Sequence, residues 1–379
     1  MVRGFTFEKM NIIIACGASG GHIFPGVALA QELLKSRKDK VLIVCSDKPI
    51  DTEILQKSGC DFITMPQNPF VRTYNPLILL KFFTKLTKGI FLSLRLLTRR
   101  RPGCVIGFGG FVSGPVIFAA WCLRIPRIIH EQNFVAGLAN RVGALFADRV
   151  AVSFEETKEF FSNNARVMTI GNPVRSSFIN LDKARSRERF GLEKERFTIF
   201  VMGGSQGASA INSAIVDAMG SMEHMQKHRL QIIHVTGQND YETVKKRYQK
   251  DNIKSKVFPF IEEVDRAYTA SDLVISRAGA TTIAELTYFG RPSILIPYLA
   301  ENVHQKENAY YLSRNNAAVT MEEKDLNIDN VKAIILNFLE HPDRLDKVSK
   351  NSKRLGNPNA AKMLADEVAA LSGESNVKE

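Results

Sequence analysis

Twice in this chain an apolar run ends in a cluster of glycines and passes into a helical stretch. Ile12-Ile13-Ile14 leads into Gly17-Ala18-Ser19-Gly20-Gly21, and Ile199-Phe200-Val201-Met202 leads into Gly203-Gly204-Ser205-Gln206-Gly207. A continuous apolar run reads as a strand buried on both faces, and the stretch from Gly26 to Leu34 has apolar residues at helical spacing. Strand, tight turn and helix make the unit from which parallel sheets are built. Further strand candidates alternate with helices: Val41 to Val44, Val105-Ile106, Ile128-Ile129 and Val150 to Val152, then Thr198 to Met202, Ile232 to Val235, Leu273 to Ile275 and Ser293 to Ile296. The fold class expected is α/β, with two parallel-sheet domains that open alike. A length of 379 residues agrees, since single cores stop growing near roughly 250–300 residues. Asn172-Pro173 breaks regular structure and sets the expected boundary, with domains over 1–172 and 173–358.

A glycine turn ahead of a helix points backbone N–H groups outward beside the positive end of the helix dipole, which suits a phosphate. The first turn differs from a plain phosphate cradle because it ends in His22-Ile23-Phe24-Pro25. Neither turn has the three-glycine dinucleotide spacing or the Lys-Ser/Thr pair of a Walker loop, which excludes a nicotinamide dehydrogenase. Two such domains would place both turns near an interdomain cleft, where open α/β sheets bind ligands.

Other polar clusters follow strands. Gly107 to Pro115 is a second glycine-rich element of the first half, either a ligand turn or a packing turn. His130-Glu131-Gln132-Asn133 puts four hydrogen-bonding side chains at a strand end; Asn133 suits a sugar hydroxyl or amide, and Glu131 suits orienting or acting as a base. Ser276 to Glu285 brings small residues, Thr281 and Thr282 to a helix start, with Glu285 a turn further in, where a carboxylate can hold both hydroxyls of a ribose. His304-Gln305 lies beyond the last long strand and reads either as a sugar contact or as an exposed helix start. No Asp-x-Asp and no His/Cys cluster with ligand spacing occurs, so neither metal nor other cofactor is expected.

The formal charge is +12, and no Asp or Glu stands between Asp61 and Glu131. Leu77 to Arg99 reads as one helix, or two broken at Gly89, with Lys81, Lys85, Lys88, Arg95 and Arg99 in a stripe roughly 80° wide. Phe82, Phe83 and further leucines give it more apolar surface than one core-facing side needs. An amphipathic basic helix of this kind suits an anionic membrane surface; a sheet-covering helix with a solvated basic face is the plainer alternative. No aromatic-basic interleaving accompanies the charge, so nucleic acid is not an expected partner. Five cysteines without CxxC spacing read as buried thiols of a reducing compartment. Glu8 and Lys9 interrupt any signal peptide core, and no apolar run reaches the roughly 20 residues of a spanning helix, so a cytosolic chain is expected.

Six segments in order resemble the MurG family of N-acetylglucosaminyltransferases: Gly17 to Pro25, Gly107 to Pro115, His130 to Asn133, Gly171 to Arg175, Gly203 to Ala208 and Ser276 to Glu285. The resemblance spans about Asn11 to Leu371. It implies a GT-B fold whose C-terminal segment (359–379) packs back on the first domain. It also implies inverting, metal-independent transfer of N-acetylglucosamine from its UDP donor to the muramoyl 4-hydroxyl of undecaprenyl-pyrophosphoryl-N-acetylmuramoyl-pentapeptide, on the cytoplasmic face of the membrane as a peripheral protein. Cell-wall synthesis and division proteins are the protein partners it points to.

His22 is the candidate base, since a helix N-terminus disfavours the imidazolium, with Glu131 in reserve. By the resemblance Ser205 holds the diphosphate, with the amides through Gln206 and Gly207 beside it, Arg175 and Ile261 the uracil side, and Glu285 the ribose. Asn133, Ala280 and Gln305 contact the N-acetylglucosamine, with Thr281 and Thr282 beside them. Ser19, Gly20 and Gly21 line the acceptor side near the phosphates, and the membrane patch falls around Leu77 to Leu97. The chain departs from the family in three places: Ala18-Ser19 stands where Gly-Thr is usual, Phe111 where Tyr is common, and Ser209 where Arg is frequent. A UDP-N-acetylglucosamine epimerase of the same fold, which would turn over the donor alone, and a non-catalytic lipid-carrier binding protein are the alternatives.

Overall fold

The computed structural model describes residues 11–17, 19–36, 39–66, 75–161, 166–175, 181–204, 207–298 and 303–375. The chain forms two compact units, Met1–Ser176 with Pro358–Glu379, and Ser177–Asn357. Arg175, which the expected boundary gives to the second domain, belongs by its contacts to the first unit.

The strands are β1 (Asn11–Ala15), β2 (Lys40–Ser46), β3 (Phe62–Met65), β4 (Cys104–Gly107), β5 (Arg127–Glu131), β6 (Arg149–Val152) and β7 (Arg166–Thr169) in the first unit. The second holds β8 (Phe197–Met202), β9 (Leu230–Val235), β10 (Ser255–Phe258), β11 (Leu273–Ser276), β12 (Ser293–Leu295) and β13 (Val319–Thr320). Among the described residues the first sheet runs β3-β2-β1-β4-β5-β6-β7 and the second β10-β9-β8-β11-β12-β13. Every pairing is parallel. In each sheet the chain starts at the middle, winds outward, then returns to the other side. That creates a switch point between β1 and β4, and another between β8 and β11. Loops leaving the carboxyl ends of such strands diverge and open a crevice, which is where ligands of doubly wound folds bind.

β1 is buried on both faces. Ile12 and Ile14 join Leu29 and Leu33 of the Gly20–Ser36 helix, whereas Ile13 and Ala15 join Val112 and Val116 of the Gly110–Cys122 helix. Each fully buried isoleucine contributes roughly 1.5–3 kcal/mol. The C-terminal helix, Ala360–Ser375, completes the first of these layers with Leu364, Ala365 and Val368, and Glu367 pairs with Arg149 of β6.

The basic segment is a single helix, Pro76–Arg100, capped by Asn75 through a 3.0 Å bond from the Leu77 N–H. Gly89 does not break it. A Cβ there would stand 3.4 Å from Pro115 Cγ, so the glycine lets two helices approach. Four cysteines are buried thiols as expected, but Cys122, at the end of its helix, is exposed.

Candidate active site

In the first unit the helix after β1 begins at Gly20, earlier than the periodicity from Gly26 suggests. Gly20, Gly21 and His22 therefore form its first turn, with Ser19 just ahead. His22 Nδ1 lies 3.2 Å from the Gly17 carbonyl oxygen and 3.0 Å from Ser19 Oγ. A carbonyl only accepts, so the Gly17 contact places the proton on Nδ1 and the basic lone pair on Nε2. The turn after β4 closes over this ring. Gly110, at φ 75°, has no alternative: a Cβ would stand 2.6 Å from the Gly17 carbonyl oxygen. The glycine-rich segment from Gly107 is thus a packing turn that also shapes the His22 site. Phe111 follows it, half-buried at the start of its helix.

Glu131 ends β5 and is 1 % exposed. Its Oε1 accepts from the Asn133 N–H at 2.9 Å and Asn133 Nδ2 at 3.2 Å, and its Oε2 from the Gly137 N–H at 2.9 Å and Asn140 Nδ2 at 2.8 Å. Both oxygens are engaged in holding residues 131–140 in shape, and Asn133 is oriented by the same cage. His130 is buried too. Its Nε2 donates to the Gly171 carbonyl at 2.9 Å and its Nδ1 accepts from Gln132 Nε2 at 3.1 Å. Burial pushes its pKa down to about 4, against the opposing pull of the Gly171 carbonyl and of Glu131. It ties β5 to the end of the unit rather than facing a ligand. Arg175 lies with its guanidinium 4.7 Å from the centre of the Phe24 ring, on the same helix as His22.

The second unit repeats the architecture with different side chains. Gly207, at φ 80°, faces the Thr236 carbonyl so closely that a Cβ would collide with it. Ser205 and Gln206 lie outside the described residues. After β11, Gly279 precedes the helix Ala280–Phe289, with Ala280, Thr281 and Thr282 in its first turn. Two buried hydroxyl oxygens here, Ser276 Oγ and Thr281 Oγ1, have no hydrogen-bond partner. Buried polar atoms are seldom left so. Glu285 is 5 % exposed, and its Oε2 accepts from the Tyr268 hydroxyl at 3.0 Å. Ile261 is buried between β10 and the next helix, and Gln305 accepts from the Tyr298 N–H at 3.1 Å.

Sequence reasoning did not find Tyr268 or Asn140. Tyr268 sits in an ordinary-looking helix, Val264–Ala270, and only the fold brings it to Glu285.

On the Pro76–Arg100 helix Lys81, Lys85 and Lys88 are exposed, and so are Leu77, Leu80, Phe83 and Phe91. Phe82 is half-buried, edge-on to Phe83 at 5.5 Å. At 100° per residue Leu80, Phe83 and Phe91 form a sector separate from both the basic stripe and the core-facing side. Among the described residues no helix is long and apolar enough to cross a membrane.

Two doubly wound parallel sheets, each with a glycine turn at its switch point, make up a GT-B fold. The Glycosyltransferase family 28 N-terminal domain matches residues 12–152, and the corresponding C-terminal domain residues 198–364. A Finegoldia magna protein named UDP-N-acetylglucosamine–N-acetylmuramyl-(pentapeptide) pyrophosphoryl-undecaprenol N-acetylglucosamine transferase is 34% identical over 367 residues, covering 96% of this chain and 98% of its own. The crystal structure of Acinetobacter baumannii MurG superposes with a TM-score of 0.75 at 27% identity, over 95% of this chain and 99% of that one. The chain belongs to the MurG family of N-acetylglucosaminyltransferases. A UDP-GlcNAc 2-epimerase from Neisseria meningitidis shares the fold alone, at 14% identity and a TM-score of 0.67 over 94% of this chain and 99% of that one.

Proposed function

We propose that the protein transfers N-acetylglucosamine from UDP-N-acetylglucosamine to the muramoyl 4-hydroxyl of undecaprenyl-pyrophosphoryl-N-acetylmuramoyl-pentapeptide, with inversion and with His22 as the base. Family membership supports the reaction over an epimerase or a mere lipid-carrier binder. The observation that supports the base is the fixed imidazole: the Gly17 carbonyl accepts from Nδ1, which puts the basic lone pair on Nε2. Once protonated, the ring still donates from Nδ1 to the Gly17 carbonyl, so the charge arrives without rearrangement. A single base suffices for direct displacement. Glu131 acts through the loop it organises.

In the second unit Glu285, steadied by Tyr268, holds the ribose. Gly207, with Ser205 and Gln206, offers amides to the diphosphate, and Thr281 and Thr282 add hydroxyls at the first turn of a helix. Ala280 and Gln305, and Asn133 of the first unit, address the sugar; Ile261 and Arg175 serve the uracil side. Such donors stabilise the leaving UDP electrostatically. The exposed apolar sector and lysines of the Pro76–Arg100 helix support peripheral binding to an anionic membrane on its cytoplasmic face, where the lipid acceptor resides. Cell-wall synthesis and division proteins remain the partners to test there.

The deciding experiment follows radiolabelled N-acetylglucosamine from its UDP donor to a short-chain analogue of the lipid acceptor, with and without chelator. Chelator-resistant transfer that falls roughly 10²–10⁴-fold in His22→Ala is expected. Isomerised donor without transfer would make the protein an epimerase.

A further inference from the structure

His224 and His228 stand four positions apart and take no part in the site described above. They lie on the short helix His224–Arg229, where residues at that spacing share a face. Both are exposed, their ring centroids are 4.3 Å apart, and Nε2 of one lies 3.1 Å from Nε2 of the other. With no cation between them, one neutral ring donates its Nε2–H and the other accepts it.

The same separation is the one that a shared metal ion imposes. Imidazole nitrogens stand about 2.0–2.1 Å from a zinc ion, so two of them 3.1 Å apart subtend about 98° at the metal. That angle falls between the right angle of neighbouring square-planar or octahedral ligands and the roughly 109° of a tetrahedral site. Because the rings are exposed, the bridging proton can move to Nδ1 through solvent. Both Nε2 lone pairs then turn to the ion, and no net proton is released.

The backbone beneath the pair is held in place. A helix of 6 residues would not persist alone. Here Glu223 and Gln226 form a capping box, in which Gln226 Oε1 accepts from the Glu223 N–H at 3.1 Å. Lys227 Nζ donates to the Gly220 carbonyl at 2.8 Å, and buried Met222 and Leu230 anchor the two flanks. The two imidazoles thus keep their spacing before any ion arrives.

We propose that His224 and His228 bind a late first-row divalent cation, Zn2+, Ni2+ or Cu2+, which clips the two ends of this helix together. Among the described residues no cluster of three or more His, Cys, Asp or Glu suits a metal, so water completes the coordination and the ion exchanges. His228 lines a cavity of about 590 Å³ with Glu193, Glu195, Arg196 and Arg229, which leaves room for that water. Charges of both signs stand there, so the two nitrogen bonds rather than the local field supply the affinity. The helix leads into the amino end of β9, whereas the donor-binding turns leave carboxyl ends of the same sheet. The cation therefore takes no part in transfer, and the site is independent of the reaction proposed above.

The test is equilibrium dialysis of the tag-free full chain against Ni2+, together with electron paramagnetic resonance of its Cu2+ form. One Ni2+ per chain is expected, with Cu2+ bound more tightly and Mg2+ failing to compete. The Cu2+ spectrum should show coupling to two imidazole nitrogens. His224→Gln and His228→Gln should each weaken Ni2+ binding at least about ten-fold, since losing a ligand costs no less than losing a ligand's partner. Coupling to a single nitrogen, or unchanged affinity in both variants, overturns the proposal and assigns the ion to the exposed Cys122 thiol or to another histidine. Amide hydrogen exchange of wild type needs no variant. Ni2+ should slow exchange across the His224–Arg229 helix, and exchange there that ignores Ni2+ refutes the clip.

Discussion

Replacing Glu131 by Gln separates the two carboxyl-end candidates for the base. The carboxylate accepts four hydrogen bonds between 2.8 and 3.2 Å while almost wholly buried. Glutamine has one oxygen, so whichever way it turns, two N–H donors meet an NH2 group. Those two bonds are lost with their donors left unsatisfied, and the other two lose the charge that strengthened them. Together this costs about 3–5 kcal/mol, set against a total stability of roughly 5–15 kcal/mol for a typical domain. The chain has a single tryptophan, Trp121, packed against Phe118 and Phe146 in the first unit, so its fluorescence reports the unfolding of that unit in urea. Glu131→Gln should unfold at markedly lower urea and retain far more kcat per folded molecule than His22→Ala. His22→Ala should show the reverse, an unchanged midpoint and a large loss of kcat. If Glu131→Gln keeps its midpoint and loses kcat as His22→Ala does, the cage reading is wrong and Glu131 is the base.

Four further outcomes are expected. His130 and His234 are buried and held neutral, at about 4 and about 3, whereas an unfolded imidazole titrates near 6.5. Between those values the unfolded chain binds more protons, so stability is full above neutrality and falls by roughly 2 kcal/mol per histidine by about pH 5; a urea midpoint that stays flat over that range contradicts this. Tyr268→Phe removes the hydroxyl that steadies Glu285 and should raise donor KM about three- to ten-fold with acceptor KM unchanged, as read in initial rates. Leu80→Glu with Phe83→Glu should abolish co-flotation with anionic vesicles while leaving transfer to a water-soluble acceptor intact; undiminished flotation would remove this helix from the membrane contact. Gly110→Ala forces a Cβ against the Gly17 carbonyl at a positive φ, and should cut kcat at least ten-fold, with donor affinity in a binding assay unaffected.

How legible these features are depends on how completely each residue is buried. All the strands read from apolar runs are interior ones, such as β1 and β11, covered on both faces. The four that leave no such run, β3, β7, β10 and β13, are the four sheet edges. An edge strand packs on fewer neighbours, and Arg166-Val167-Met168-Thr169 or Ser255-Lys256-Val257-Phe258 stays partly open to solvent. Its composition is then free to be mixed, and the periodic signal disappears. Glycine obscured the helix that begins at Gly20 for a related reason. Gly20 and Gly21 carry no side chain to mark a face, yet the turn needs their slimness to bring backbone amides to the surface. Within the site, His22, Glu131 and Glu285 were visible as polar residues at strand and helix ends. Their partners Asn140 and Tyr268 were not, because a hydrogen bond across nine or seventeen positions leaves no pattern in the chain.

The two switch points also differ in a way that bears on the chemistry. Both present a glycine turn and the start of a helix, a geometry that favours negative charge and disfavours a cation. In the second unit the first turn after β11 holds Ala280, Thr281 and Thr282, all neutral, so its field remains available for an anion such as a departing diphosphate. In the first unit the turn after β1, whose counterpart is the turn after β8, carries an imidazole, and a positive imidazolium there is opposed by the same field. The Gly17 carbonyl is what makes the difference tolerable, since it accepts from Nδ1 and offsets the helix end. The turn after β11 thus suits an anion, whereas the turn after β1 adds a side chain able to exchange a proton.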